Sequence, residues 1–233
     1  APECTIATFA PCATGLCACS DFRPTDVAVF DSNPNYRDPD KPAFDRVVLK
    51  GGGDAAAAGR AVMETGEFDY AWNLQLAPEI LGSMERAGKG RVVNAFGTLV
   101  ERVVFNLTDP DSALGADRST MAHPHPILSD PQVRHALSMA ISRPLLVEIG
   151  YGDTGRTTCN ILNAPAMYAS TANEACVDQN VAAAKALLDQ TGWIDSNGNG
   201  IRDKDGVELS LVFQTSTNAV RQDFQALIKQ WWS

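Results

Sequence analysis

The chain has 233 residues, 45% of them hydrophobic, with 19 basic and 28 acidic side chains and a formal net charge of −9. That length supports one large domain or two small ones, and the acidic balance disfavours nucleic acid and anionic lipid as partners. No apolar run of about eighteen residues reads as a membrane span, and the chain does not open on a signal peptide, which fits either a cytosolic chain or one already processed.

Four of the six cysteines, Cys4, Cys12, Cys17 and Cys19, crowd the N-terminus. Their number suits a metal cluster, but Cys17-x-Cys19 is tighter than zinc-knuckle spacing. Residues 24–44, PTDVAVFDSNPNYRDPDKPAF, predict a strand followed by a Pro/Asn/Asp loop. RVVLK (46–50) is β-branched and predicts a buried strand. Gly51–Gly53 then turn the chain; the Lys-Ser/Thr and the glycine spacing of a phosphate cradle are absent. Asp54 caps a helix through about Thr65, with Ala57, Ala58, Ala61 and Val62 on one face. FDYAWNLQ (68–75) alternates Phe68, Tyr70 and Trp72 and predicts a strand; Ala77 to about Ala87 predicts a helix ended by Gly88. RVVNAFGTLVERVVFNL (91–107) predicts one bent strand or a pair, kinked near Gly97. Glu101 and Arg102 face opposite sides of it, so one of the two charges turns toward a packed or cleft side. Strands alternating with helices argue an α/β layer fold.

Residues 108–129 predict a polar, Pro-containing loop, with His123 and His125 solvated and no third metal ligand in view. In DPQVRHALSMAISRPLLVEIGYG (130–152), Asp130 is an N-cap and Pro131 a first-turn residue. Val133, Ala136, Leu137, Ala140 and Ile141 form one apolar stripe. Pro144 cannot continue that helix but suits the first turn of a new one, with Ser142 or Arg143 near its cap. The break re-aims the chain and delivers Tyr151-Gly152 to a defined place. Cys159 and Cys176 flank an irregular loop with no further Cys or His nearby, which predicts a disulfide and an oxidising compartment. Asn180 caps a helix through Asp189, stopped by Gly192. In DSNGNGIRD (195–203) the oxygens of Asp195, Asn197, Asn199 and Asp203 alternate as in a calcium loop, but position twelve is Gly206 and no helix follows. An Asn-Gly turn bonded to its own backbone is the competing reading. A strand follows, and Ser216 or Thr217 caps a last helix bearing Phe224, Leu227, Ile228, Trp231 and Trp232. Adjacent terminal tryptophans are poorly suited to water, and predict that the chain is a piece of a longer protein whose next segment covers them.

The stretch 130–156 resembles the signature of the extracytoplasmic solute-binding proteins of the peptide/nickel type, which feed ABC importers. Val133, Arg134, Ala136, Ala140, Ile141 and Arg143 hold its pattern, with Ser142 in place of Asp. NPNYRDPDKPAFDRVVLK (33–50), METGEFDYAWNL (63–74), AAAKALLDQTGWIDSNGNGIRDKDGVELSL (182–211) and QTSTNAVRQDFQALIKQWW (214–232) resemble further segments of that family. FAPCATGLCACSDFRP departs from its pattern at Ala13, Leu16 and Cys17.

The resemblance implies a lobe of a type II periplasmic-binding-protein-like fold, a mixed sheet with helices packed on it. Residues 1–45 would be the crossover from a first lobe, 46–215 most of the second, and 216–233 a helix leading back. It implies no enzyme and no cofactor, calcium aside. The function would be binding a peptide or similar small solute between lobes, as an extracytoplasmic monomer, and delivering it to a membrane permease. The ligand wall would be Trp72, Asn73, Gln75, Arg102, Tyr151 and Gln214, where Trp offers a flat amphipathic face and amides suit peptide main chain. The rival readings are a calcium-dependent structural or adhesion module built on the Asp195 loop, and a metallohydrolase using His123 and His125.

Overall fold

The computed structural model describes residues 13–233. Cys4 and Cys12 lie outside the described residues, so the N-terminal cysteine cluster is represented only by Cys17 and Cys19, both free and half-buried. The chain divides into two compact units, 1–58 and 59–233, with the boundary inside one helix. This division differs from the lobe boundaries expected at 45/46 and 215/216. A compact unit is defined by internal contact and a lobe by its ligand cleft, so the two need not coincide.

The first unit is a three-stranded antiparallel sheet of β1 (Cys17–Arg23), β2 (Val27–Ser32) and β3 (Arg46–Lys50), in that order. β1 is not legible in the sequence, because CACSDFR has few strand-favouring residues. Its ladder slips between Cys19 and Asp21, a bulge that re-aims its second half. β3 is an edge rather than the buried strand expected: Val48 and Leu49 are about half exposed and only Val47 is partly covered. Cross-strand ion pairs lace the surface, Arg46 to Asp31 at 2.6 Å and Lys50 to Asp26. Asn33 is buried and pins the entry to β1, donating to the carbonyls of Ala13 (3.1 Å) and Gly15 (2.9 Å). Gly51–Gly53 form a plain turn. A Cβ at Gly52, whose φ is +85°, would stand 2.9 Å from the Thr25 carbonyl oxygen.

The helix α1 (Ala55–Met63) opens as expected, with Asp54 Oδ1 accepting from the Ala57 N–H at 2.7 Å. In the second unit it approaches α2 (Pro78–Glu85) at Gly59, where an added Cβ would stand 2.9 Å from Met84 Sδ, and Met63, Leu81 and Met84 are all buried. The main core joins α3 (Pro131–Met139) to α5 (Val181–Gln190). Val133, Ala136, Leu137 and Ala140 recur at helical spacing and meet Ala184, Leu188, Ile127, Leu128 and Trp193. Burial of a side chain such as Leu137 contributes about 1.5–3 kcal/mol. Asp130 caps α3 as expected, accepting from the Gln132 N–H at 2.8 Å. Asn180 caps α5, and Gly192 ends it with φ +85°.

The break after α3 is present. α4 (Arg143–Gly150) restarts with Ser142 at its N-cap and Pro144 in its first turn. Arg143 holds the corner, donating to the Ser138 carbonyl (3.2 Å) and hydroxyl (2.8 Å) and to the Cys176 carbonyl (2.7 Å). Its half-burial lowers the guanidinium pKa from the ordinary value. Cys159 and Cys176 are bonded, with Cα atoms 6.0 Å apart.

The structure differs from the sequence reading at three strands. Residues 68–75 and 91–107 form no ladder among the described residues, and the strand expected after 203 shrinks to a hairpin of β4 (Asp203–Lys204) and β5 (Val207–Glu208). A strand is stabilised by its cross-strand neighbours, and alternation alone does not supply them. The alternation itself survives: Leu209 and Leu211 pack on the core while Val212 is 89% exposed. The last helix, α6 (Ala219–Trp232), is capped by Asn218 rather than Ser216 or Thr217, its side chain accepting from the Arg221 N–H at 3.1 Å. Val220, Phe224 and Ile228 are buried. Trp232 is half-covered by this chain itself, leaning on Phe213 and donating from its indole to the Leu137 carbonyl at 3.0 Å.

His125 is buried rather than solvated. Its Nδ1 accepts from the N–H groups of Ile127 (3.1 Å) and Leu128 (3.0 Å), which caps the turn leading to α3. Burial lowers its pKa below the ordinary 6.5, against the opposing pull of Asp109.

Two measurements follow from this packing. Gly150 faces Val220 and Phe224 so closely that an added Cβ would stand 2.9 Å from Val220 Cγ1 and nearer still to the Phe224 ring. Gly150→Ala therefore lowers stability by about 1–3 kcal/mol in a urea melt. His125 has a depressed folded-state pKa, so its contribution is fully present above its unfolded value and is lost as pH falls through the folded value. The urea midpoint falls as the pH drops below about 6.5, and His125→Ala flattens that part of the profile.

Candidate ligand-binding site

A polar cluster in the second unit gathers side chains from four separate segments. Glu101 is its centre. Its Oε2 accepts from the Tyr151 hydroxyl at 3.0 Å, and its two oxygens accept from Arg221 Nε (3.1 and 3.2 Å) and NH2 (3.1 Å). Both side chains of the ion pair are about one-third exposed, so the cluster is reachable from solvent. Gln75 joins at the side, its Oε1 accepting from the Asn218 amide at 3.1 Å. Burial, followed by the Glu101 charge and hydrogen bond, pushes the Tyr151 phenol up to about 12, while Arg221 and Gln75 pull the other way. The phenol is therefore a hydrogen-bond donor at any physiological pH. The Glu101 hydrogen bond and charge raise the Arg221 pKa.

Local structure explains the placement of Tyr151. It is the C-cap of α4, where Gly150 lets the helix end sit against α6. Its ring meets Phe224 edge-on, with centroids 5.7 Å apart. The following loop folds back on it: Thr154 Oγ1 donates to the Tyr151 carbonyl at 2.7 Å, and a Cβ at Gly155 would stand 2.6 Å from Tyr151 Cβ. Gly152, with φ +50°, approaches Pro78 within 2.9 Å of where its Cβ would be.

Of the six ligand residues named from sequence, the structure brings Gln75 and Tyr151 into this cluster. Trp72 is 70% exposed. Asn73 beside it adopts a left-handed backbone, φ +56°, a conformation Asn tolerates better than most residues. Arg102 is exposed and makes a local contact, NH1 to the Val100 carbonyl at 3.4 Å. Gln214 is also exposed. Glu101, Arg221 and Asn218 were missed. The charged pair at positions 101 and 102 was legible, but the charge that joins the cluster is Glu101, and its partner lies 120 residues away.

More exposed apolar groups line the same unladdered segments, among them Tyr70, Phe96 and Leu99. Arg156 lies over the Phe96 ring, 4.9 Å from its centroid. A shallow concavity of about 210 Å³ lies elsewhere, on the three-stranded sheet between Phe22, Thr25, Val27 and Leu49, and contains none of the named residues.

The Asp195 loop is closed by its own backbone donors. Asp195 accepts from the N–H groups of Gly198 (2.8 Å), Asn199 (3.1 Å) and Gly200 (2.9 Å). Asn197 Oδ1 accepts from Asn199 N–H and Asn199 Oδ1 from Ile201 N–H, at 2.9 and 2.8 Å. Asp203 accepts from the Ser196 N–H and hydroxyl, which lower its pKa. Among the described residues, no three His, Cys, Asp or Glu side chains converge on a point suited to a metal ion.

Comparison with known proteins agrees with this fold. The family model described as bacterial extracellular solute-binding proteins, family 5 Middle, matches residues 8–233. The oligopeptide-binding protein AppA of Bacillus subtilis (strain 168) is 31% identical over 113 residues, which is 45% of this chain and 20% of that protein. Lactococcal OppA, solved with an endogenous peptide in the closed conformation, superposes with a TM-score of 0.74 at 20% identity, over 95% of this chain and 40% of that one. AppA from Bacillus subtilis, solved with a nonapeptide, gives 0.64 at 20% identity over 94% and 40%, and NikA from Brucella suis, solved with Fe(III)-EDTA, gives 0.60 at 20% over 93% and 40%. The chain thus spans about 40% of the length of these solved relatives. The match over nearly the whole sequence makes the chain a member of the bacterial extracellular solute-binding proteins, family 5.

Proposed function

We propose that this chain is part of the substrate-binding component of an ABC importer, acting outside the cytoplasm as a monomer. It takes up a peptide or peptide-like solute and hands it to a membrane permease without changing it chemically. The observation that carries this reading is the family match over residues 8–233. Peptide is favoured as the ligand class because AppA and OppA are oligopeptide binders by name or by bound ligand. NikA, solved with Fe(III)-EDTA, makes a metal chelate the second candidate. In this reading the sheet unit carries the crossover between lobes and the helical unit supplies most of the second lobe.

The proposed ligand wall is Trp72, Asn73, Gln75, Arg102, Tyr151 and Gln214. An exposed indole can stack on a flat group, and the half-buried Gln75 amide offers paired donor and acceptor capacity to a main chain. Trp193 is a contrasting case: it is buried in the α3–α5 core at 3% exposure and serves packing.

In the full-length gene product, Trp72→Ala weakens binding of a random-sequence nonapeptide pool by about tenfold, the effect of losing a stacking contact near 1.4 kcal/mol. Its melting temperature stays near that of wild type. Trp193→Ala instead costs stability, about 3–5 kcal/mol, as a core truncation does. Unchanged pool binding by Trp72→Ala, measured by calorimetry, would place the ligand elsewhere. The Asp195 loop, self-closed by backbone donors, needs no ion to hold its shape. A calcium chelator is expected to leave the melting curve where it was, and a clear drop would revive the calcium-dependent module.

A further inference from the structure

We propose that Glu101 is the positioning residue of the ligand wall: it fixes where Tyr151 and Gln75 stand, and so sets affinity for the ligand without touching it. This rests on the placement of the wall in the preceding subsection. The argument starts from continuity. Gln75 accepts from Asn218, Asn218 caps the helix turn that carries Arg221, Arg221 grips Glu101 with two nitrogens, and Glu101 receives the Tyr151 hydroxyl. The contacts along this chain span 143, 3, 120 and 50 residues of sequence, so one network ties segment 91–107 to the end of α4, the start of α6 and the Gln75 segment.

The geometry suits aiming better than it suits holding. A partly exposed ion pair adds little to stability. A two-point guanidinium grip does fix the plane of a carboxylate, and that plane dictates where an accepted hydroxyl must lie. The edge-on contact with Phe224 restrains the Tyr151 ring, and the Glu101 carboxylate sets the direction in which its hydroxyl donates. Segment 91–107 has no ladder to set its position; its ends are tied by the Val92 N–H to Glu85 and by the Leu107 carbonyl to the His125 N–H, Phe105 anchors it to the core, and Glu101 is a polar tie in its middle. The neutral phenol always donates, so the link does not lapse with pH in the working range.

The test uses the full-length gene product and the random nonapeptide pool, read by calorimetry, with melting temperature recorded beside it. Glu101→Gln is expected to weaken pool binding by about tenfold, the loss of one charge-assisted hydrogen bond, while the melting temperature falls by less than about 4 °C. Tyr151→Phe weakens it comparably. The double variant binds within about twofold of Glu101→Gln alone, because both changes remove the same link. Glu101→Asp, which keeps the charge, recovers part of the loss. A purely structural role would move the melting temperature and leave affinity alone. Glu101→Gln within about twofold of wild type, with Trp72→Ala weakened, would overturn the proposal and leave the wall standing; additive losses in the double variant would overturn it as well. Unchanged binding in Trp72→Ala, Glu101→Gln and Tyr151→Phe alike would show instead that the wall itself is misplaced, and the proposal falls with it. If Glu101→Gln does not fold, Tyr151→Phe decides, since it keeps the ion pair: binding within about twofold of wild type overturns the proposal.

Discussion

Arg143 places a cation at a half-buried corner, where desolvation works against the charge. It is tolerable there because two carbonyls and a hydroxyl receive its protons. Much of the second unit depends on that corner. The guanidinium binds the last turn of α3 to the carbonyl of Cys176, so the helix end and the stapled loop share one anchor. The loop in turn feeds Gln179 and Asn180 onto the end of α3, where they donate to the Ala140 and Met139 carbonyls at 2.8 Å. Helix C-terminal carbonyls that would otherwise lack partners are thereby satisfied. With α3 ended there, α4 starts in a new direction and carries Tyr151 to Glu101.

The helical half of this arrangement was legible in the sequence because helices advertise their ends locally. Asp54, Asp130 and Asn180 are capping residues next to periodic apolar runs, and each caps as read. Pro144 and Gly192 likewise act within a few residues of themselves. The one misplaced cap, at α6, lay in a run of Ser216, Thr217 and Asn218, all competent acceptors, among which only the backbone path chooses.

Strands and the site were harder to read for one shared reason: their determinants are distant in sequence. FDYAWNLQ and RVVNAFGTLVERVVFNL have the composition and alternation of strands, but neither property supplies a ladder partner. CACSDFR lacks the composition and is a strand because Val27–Ser32 pairs with it. The cluster around Glu101 repeats the lesson in side chains. Adjacent opposite charges could be assigned to opposite faces, yet only the position of α6 decides which one finds a partner. His125 was misjudged for the opposite reason, since the flanking prolines suggested an open loop while its ring nitrogen found two backbone donors within three residues.

The disulfide between Cys159 and Cys176 separates two jobs that a loop usually performs together, closing a span and choosing its own course. Closure is covalent, and the inner edge is held by Arg143. The residues between are left with Ile161, Leu162, Met167 and Tyr168 facing outward, free of any duty to the core. Length is lightly penalised in such a span, since doubling a flexible loop costs only about 0.6 kcal/mol in closure entropy. This stretch can therefore drift in size and character among related sequences while the helices on either side stay in register, and it is the natural place in this unit for one lineage to come to look unlike another.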